Sequence, residues 1–394
     1  MTQDIFISGG GVAGLTAACL FGSAGYAVTC VDPAPPITAR DADGADLRST
    51  AFLQPSVAVL EKAGVWHKLA PHAMGLQTMR IVDAGGEARE PRATRDFDAS
   101  DISELPFGWN LPNWLTRREL VARLAELDNV EFLPGTACTN IFTRFSTAKL
   151  SLSDGTTRQA RMVIAADGRN SLIREKVGID VKTTRYGQKA LAFAVTHPVP
   201  HNNVSTEIHR TGGPFTLVPL PDYEGQPSSA IVWMENGPRA TELFEMDQAA
   251  FNAEMSERSC HLFGPLTLAS KRTIWPIISQ LADQFATERV ALVAEAAHVV
   301  PPIGAQGLNM SLADLAKLLE LAEKHPLGSR EMLDSYAKNR RLAVQARVKG
   351  IDLLNRTSMS QAQWLKDLRA FGVGVLHDAA PIRKTVMKLG LGAR

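Results

Sequence analysis

Cysteine is scarce and unclustered in this 394-residue chain: Cys19, Cys30, Cys138 and Cys260 show no paired ligand spacing. That leaves no disulfide framework and no thiolate metal site to read, and no other ligand cluster points to a metal. A reducing cytoplasm is the expected compartment. Net charge is nearly absent too: 42 Lys and Arg against 41 Asp and Glu leave +1. With no basic and aromatic repeat, nothing supports a nucleic-acid partner. No stretch of about 18 apolar residues escapes interruption by Gly or charge, which argues against a spanning helix. The chain opens on a strand, without the basic segment of a signal peptide. No internal repeat or long low-complexity tract occurs, and the length suits one large or two medium domains.

What the chain does have is glycine at telling positions. Ile5-Phe6-Ile7-Ser8 reads as a short apolar strand, followed by Gly9-Gly10-Gly11-Val12-Ala13-Gly14 and an Ala/Leu-rich helix. Ala27–Val31 reads as the next strand and ends on Asp32. Strand, G-x-G-x-x-G, helix, strand and terminal carboxylate in that order form a dinucleotide-binding pattern. Gly9 permits the tight turn, Gly11 admits a pyrophosphate against the backbone, and Gly14 lets helix and strand pack closely. Asp32 would accept from an adenosine ribose and disfavours a 2′-phosphate.

A second unit lies at Arg289–Asn309. Val290–Val293 reads as a buried strand, Glu295 as a carboxylate beyond its end, and Pro301-Pro302-Ile303-Gly304 as a loop opening a helix. Leu308, Leu312, Leu315, Leu319 and Ala322 fall at helical spacing and should be buried. The helix start presents free backbone N–H groups and the positive end of a dipole, suited to negative charge on a bound ring. Elsewhere the pattern predicts a helix over Pro55–Ala63, a hairpin over about 76–98 and a helix over Leu115–Leu127. Strands follow at Val130–Leu133, Asn140–Leu152 and Arg158–Ala165. Longer β-like runs at Ala190–Val195, Ser205–Arg210, Phe215–Pro219 and Ala230–Glu235 look like a separate, inserted sheet.

Five motifs in order make the chain resemble the class A flavin-dependent aromatic hydroxylases, nearest to those of ubiquinone biosynthesis, over almost its whole length. They are Gly9-x-Gly11-x-x-Gly14; Arg48-Ser49-Thr50-Ala51; Asp167-Gly168-Arg169-Asn170-Ser171 with Arg174; Gly213-Pro214-Phe215-x-Leu217-x-Pro219-Leu220; and Glu295 to Asn309. The resemblance implies an α/β fold: a Rossmann-like FAD-binding domain, an inserted mixed β-sheet substrate domain and a helical C-terminal segment. The expected divisions are FAD binding at 1–75, 101–180 and 281–330, a substrate-side hairpin at 76–100, the substrate domain at 181–280 and C-terminal helices at 331–394. It implies an enzyme in which NAD(P)H reduces FAD and dioxygen hydroxylates the ring of a polyprenylated phenol, with other ubiquinone-biosynthesis proteins as further partners. A small soluble aromatic substrate, or a structural role with weakened flavin binding, are the alternatives.

By the same resemblance the cofactor residues would be Gly9, Gly11, Val12, Ala13, Gly14, Asp32, Arg48, Arg117, Asp167, Glu295, Pro302, Gly304, Gln306, Gly307, Leu308 and Asn309. Arg48 would meet the flavin's phosphates, Arg117 (with Arg118 a near rival) would be a second phosphate-side arginine, and Asp167 would sit between flavin and nicotinamide. His298 is expected to be structural. Phe193, Phe215, Leu217, Trp233 and Pro301 are substrate-pocket candidates, and each aromatic is about as readily core. Two departures stand out: Ala294-Glu295 replaces the family's Gly-Asp, and Ala305 stands where the family has Gly before Gln. The tail, 361–394, interleaves six Lys and Arg with Trp364, Leu365, Leu368, Phe371, Val373, Val375, Leu376 and Leu389. Such a stretch suits a peripheral contact with the inner face of a membrane, or a helix docked on the catalytic unit.

Overall fold

Two large sheets organise the computed structural model, which describes residues 2–40, 42–86, 88, 90–359, 366, 367, 372, 374 and 377–391. In the first, strand 2–8 runs parallel to 28–32 on one side and to 157–165 on the other. Strands 130–134 and 290–292 extend the parallel set at its two ends. Ile5, Phe6 and Ile7 have no exposed surface, as a strand covered on both faces requires. Helix Val12–Ser23 covers one face, and its Ala13, Ala17 and Ala18 keep it close to the sheet. The chain winds away from strand 2–8 in both directions. In such sheets a ligand crevice opens beyond the carboxyl ends of the strands at that switch.

The run expected as one strand over 140–152 is two, Cys138–Thr143 and Ala148–Leu152, closed by a turn in which Arg144 N–H donates to Thr147 O at 2.9 Å. They hang antiparallel from the first half of 157–165.

The second sheet runs in the order 298–299, 273–282, 181–196, 226–236, 214–223, 204–209, 78–83, 93–98. The expected hairpin forms from Thr78–Asp83 and Ala93–Asp98, and 78–83 pairs in parallel with 204–209. Hairpin and inserted segment therefore belong to one sheet. Two helices that the β-like pattern did not suggest, Gly237–Glu245 and Gln248–Arg258, follow strand 226–236. The second begins where Asp247 caps the Ala250 N–H at 3.0 Å, a start signal of the usual kind. They close a second core of Leu191, Phe193, Val195, Phe215, Leu217, Ile231, Trp233, Phe251 and Met255. A small third sheet, 49–53, 108–112 and 74–76, joins the two units, with Asn110 Nδ2 donating to Pro219 O at 2.9 Å.

Helix Gln306–Ala322 buries Leu312, Leu315 and Leu319 as its periodicity requires. The long helix Arg330–Met359 packs on it. The last helix, Ala380–Leu391, and the residues before it pack beside strand 93–98: Arg383 pairs with Asp101 at 3.0 Å and the His377 ring meets Phe97 edge-on at 5.6 Å. Of the tail, Trp364, Leu365, Leu368, Phe371, Val373, Val375 and Leu376, and the side chain of Leu389, lie outside the described residues. No helix among the described residues is long and apolar enough to cross a membrane.

Candidate functional site

Four parallel strands deliver the motif residues to one crevice. Strand 2–8 ends at Gly9, 28–32 at Asp32, 157–165 just before Asp167, and 290–292 just before Glu295. The glycines divide by what surrounds them. A Cβ on Gly14 would stand 1.8 Å from Gly9 O, and one on Gly9 (φ +112°) 2.3 Å from Ala166 O. A Cβ on Gly11 would meet no protein atom within 4 Å. The first two are demanded by packing, whereas Gly11 faces space. Helix 12–23 starts there with neither a side-chain cap nor an acidic residue in its first turn. Its terminal N–H groups suit a phosphate. Asp32 accepts from Gly10 N–H at 2.5 Å and Ala34 N–H at 2.9 Å, which leaves carboxylate lone pairs for a ribose.

The charged residues converge from several elements. Arg169 Nε lies 3.2 Å from Glu295 Oε2, and Arg48 lies within the field of Glu295. Arg48 is already gripped by Asp46, Nε to Oδ1 at 2.7 Å and Nη2 to Oδ2 at 2.8 Å, and its guanidinium lies 5.4 Å from the Trp275 ring centroid. Only its Nη1 side remains to meet a phosphate. Of the two rival arginines, Arg118 is paired with Glu119, whereas Arg117 has a buried Nε without a partner. The uncapped start of helix 12–23 and the space at Gly11 fit an anionic dinucleotide. Asp167 abuts Gly9, and its Oδ2 caps Ile173 N–H at 3.1 Å. Its Oδ1 is buried and unpartnered, and burial pushes the carboxyl above its ordinary range despite the hydrogen bonds it accepts.

Both departures from the family pattern fall on left-handed backbone, Ala294 at φ +54° and Ala305 at φ +55°. Glycine holds such angles without strain; a Cβ costs about 1–2 kcal/mol at each. The loop between them carries buried Pro301, half-buried Pro302 and Gly304 at φ +61°, then Gly307 and Leu308 in the first helical turn. That helix also lacks a side-chain cap. Two expected cofactor residues direct their side chains to protein instead. Asn309 ties strand 49–53 to the helix through Leu53 N–H at 2.9 Å and Ala51 O at 2.7 Å. Gln306 accepts from Arg347 at 2.5 Å and donates to Gly304 O and Gly390 O.

The substrate candidates divide differently. Phe193, Phe215, Leu217 and Trp233 are at most 2% exposed and pack in the second core against Phe251 and its helix. Their sheet turns its opposite face toward the first core, so these four side chains support the sheet from behind. On that facing side, Val232 and Trp275 pack against the first core, and Thr216 and Val218 are half-buried. Register places Ala192 across from Val232, and Ala194 across from Ala230.

Sequence reasoning missed Asp46, Asn113 and Trp275 around Arg48, and Asp314 and Arg340, which join His298, expected to be structural, in one buried group. Asp314 did leave a signal: it interrupts the apolar series Met310, Leu318, Leu321 on a buried helix face.

A family model described as an FAD binding domain matches residues 2–350. The chain is 29% identical to ubiquinone hydroxylase UbiL of Rhodospirillum rubrum over 99% of its length and 89% of the relative's. It is 26% identical to the 3-demethoxyubiquinol 3-hydroxylase of Escherichia coli, over 99% and 98%. Among solved structures, p-nitrophenol 4-monooxygenase PnpA of Pseudomonas putida DLL-E4 superposes with a TM-score of 0.80 at 18% identity, covering 100% and 99% of the two chains.

Proposed function

Because the chain belongs to the FAD binding domain family, as an FAD-dependent monooxygenase of the ubiquinone-hydroxylase kind, we propose that it uses NAD(P)H and dioxygen to hydroxylate a polyprenylated phenol. The observation that carries the cofactor reading is the crevice where four strands end: helix 12–23 starts there uncapped, beside open space at Gly11. Bound FAD would supply the redox chemistry with nicotinamide and oxygen. The protein's part is placement. Gly9, Gly11, Val12, Ala13 and Gly14 would line the pyrophosphate, Asp32 the adenosine ribose, and Arg48 and Arg117 the phosphates. Glu295 would take the ribityl chain. The loop Pro302–Leu308 would offer N–H groups to the ring, with Gln306 and Asn309 fixing that loop from behind. Asp167 would border the nicotinamide approach.

For the substrate we assign the wall to the sheet face bearing Ala192, Thr216, Val218, Val232 and Trp275, opposite Pro301. Thr216 apart, these side chains are apolar, which suits a neutral phenol with a greasy tail. A substrate of that kind partitions into a bilayer. The last helix exposes Ile382 (46%) and Val386 (42%) beside Lys384 and Lys388, which supports a peripheral contact of the tail with anionic lipid. The test is genetic and chemical: deleting the gene should make a prenylated quinone precursor lacking one ring hydroxyl accumulate. Purified protein should consume NAD(P)H in step with hydroxylation of that precursor. Unchanged quinone content would overturn the proposal. Liposome co-sedimentation that is unaffected when Ile382 and Val386 are both changed to Ser would overturn the lipid contact.

A further inference from the structure

Beneath the turn that presents Glu295 lies a buried ionic group to which the sequence assigned no cofactor role. Asp314, in helix 306–322, has a fully buried side chain. Its Oδ2 accepts from His298 Nε2 at 2.7 Å and from the Ala294 backbone N–H at 3.3 Å. Its Oδ1 accepts from Arg340 Nε at 2.7 Å, and Arg340, on the helix 330–359, also donates to Met310 O at 3.3 Å. Burial alone would push this carboxyl up, but His298 and Arg340 outweigh it and hold it below its ordinary range. An ionised acceptor in a low-dielectric site makes strong hydrogen bonds.

The residue it holds is the strained one. Ala294 sits at φ +54°, where a glycine would rest without help. We propose that Asp314 is a positioning residue for the cofactor: it pins the Ala294–Glu295 turn in the left-handed conformation through the Ala294 N–H. His298 and Arg340 fix the carboxylate that does so. Where backbone freedom is missing, a buried hydrogen bond takes its place. The same carboxylate joins the turn to the helix 306–322 and, through Arg340, to the helix 330–359.

This inference rests on the reading that Glu295 meets FAD, and a mutant cycle in the full-length protein separates the two. Asp314→Asn keeps size but loses charge, and should weaken FAD binding about tenfold in a fluorescence titration. In the Ala294→Gly background the same substitution should cost about twofold or less, because glycine no longer needs the restraint. A merely structural Asp314 would cost the same in both backgrounds, and that result would overturn the proposal. Should Asp314→Asn fail to fold, Arg340→Lys loosens the same carboxylate and the same rescue by Ala294→Gly is expected; absence of rescue overturns it there. Glu295→Gln is the separate arm: unchanged FAD affinity would sink the role of Glu295, while the rescue would still report whether Asp314 governs the turn.

Discussion

The cofactor crevice and the substrate sheet are built on opposite logic. In the crevice, function is written in backbone: a turn that only glycine allows, helix starts left uncapped, carboxylates at strand ends. In the sheet, the reading depends on which of two faces turns toward the first core, and most of the large aromatic side chains lie on the other. Phe193, Phe215 and Trp233 form a rear core with Phe251, and the face toward the first core carries Ala192, Thr216 and Val232 beside Trp275.

The sharpest way to break this comparison is within the glycine loop. Gly14→Ala would place a methyl 1.8 Å from a backbone oxygen, a clash that rotamer changes cannot relieve. It should cost about 3 kcal/mol or more and prevent folded protein from accumulating, whether FAD is present or not. Gly11→Ala meets no protein atom, so the apo protein should melt as the parent does while FAD affinity collapses. If both variants fold and lose FAD alike, the division into packing and ligand glycines fails.

Next comes the sheet. Phe215→Ala should destabilise by about 3–5 kcal/mol, as removal of a fully buried ring does, read as a lower unfolding midpoint. Val232→Ala, on the facing side, should leave that midpoint within about 2 °C of the parent and shift KM for the phenol. A KM effect of Phe215→Ala larger than its effect on stability would restore the aromatics to the pocket.

How far the sequence could be read follows the same division. The nucleotide pattern was legible because its demands are local: Gly9, Gly14 and Asp32 sit at fixed offsets that one chain segment enforces, and the structure puts each at the crevice. The helix after Pro302 was legible from its 3.6-residue period. The sheet's orientation was not, because a strand's two-residue period states only that there are two faces. The side facing the crevice is set by helices 237–245 and 248–258, whose short apolar series were lost among β-like runs. The roles of Gln306 and Asn309 needed partners 41 and 258 residues away. No local pattern carries that.

The smallest expected effect concerns the carboxyl that belongs to both regimes. Asp167 caps Ile173 through Oδ2, while Oδ1 is buried without a donor. Its proton affinity is raised in the fold, so the folded apo protein holds that proton more tightly than the unfolded chain does. Stability from this group is therefore full below the ordinary carboxylate range and is lost as pH rises through the raised value, then stays flat. Asp167→Asn keeps an acceptor for the Ile173 N–H but has no proton to lose. The variant's apo unfolding midpoint should fall less than the parent's across that window and exceed it at neutral pH, by no more than about 2 °C. If the orphan oxygen faces the cofactor, saturating FAD gives it a partner and the gap between variant and parent should close. A gap that persists with FAD bound would make Asp167 a helix cap alone, and would move the border of the nicotinamide approach elsewhere in the crevice.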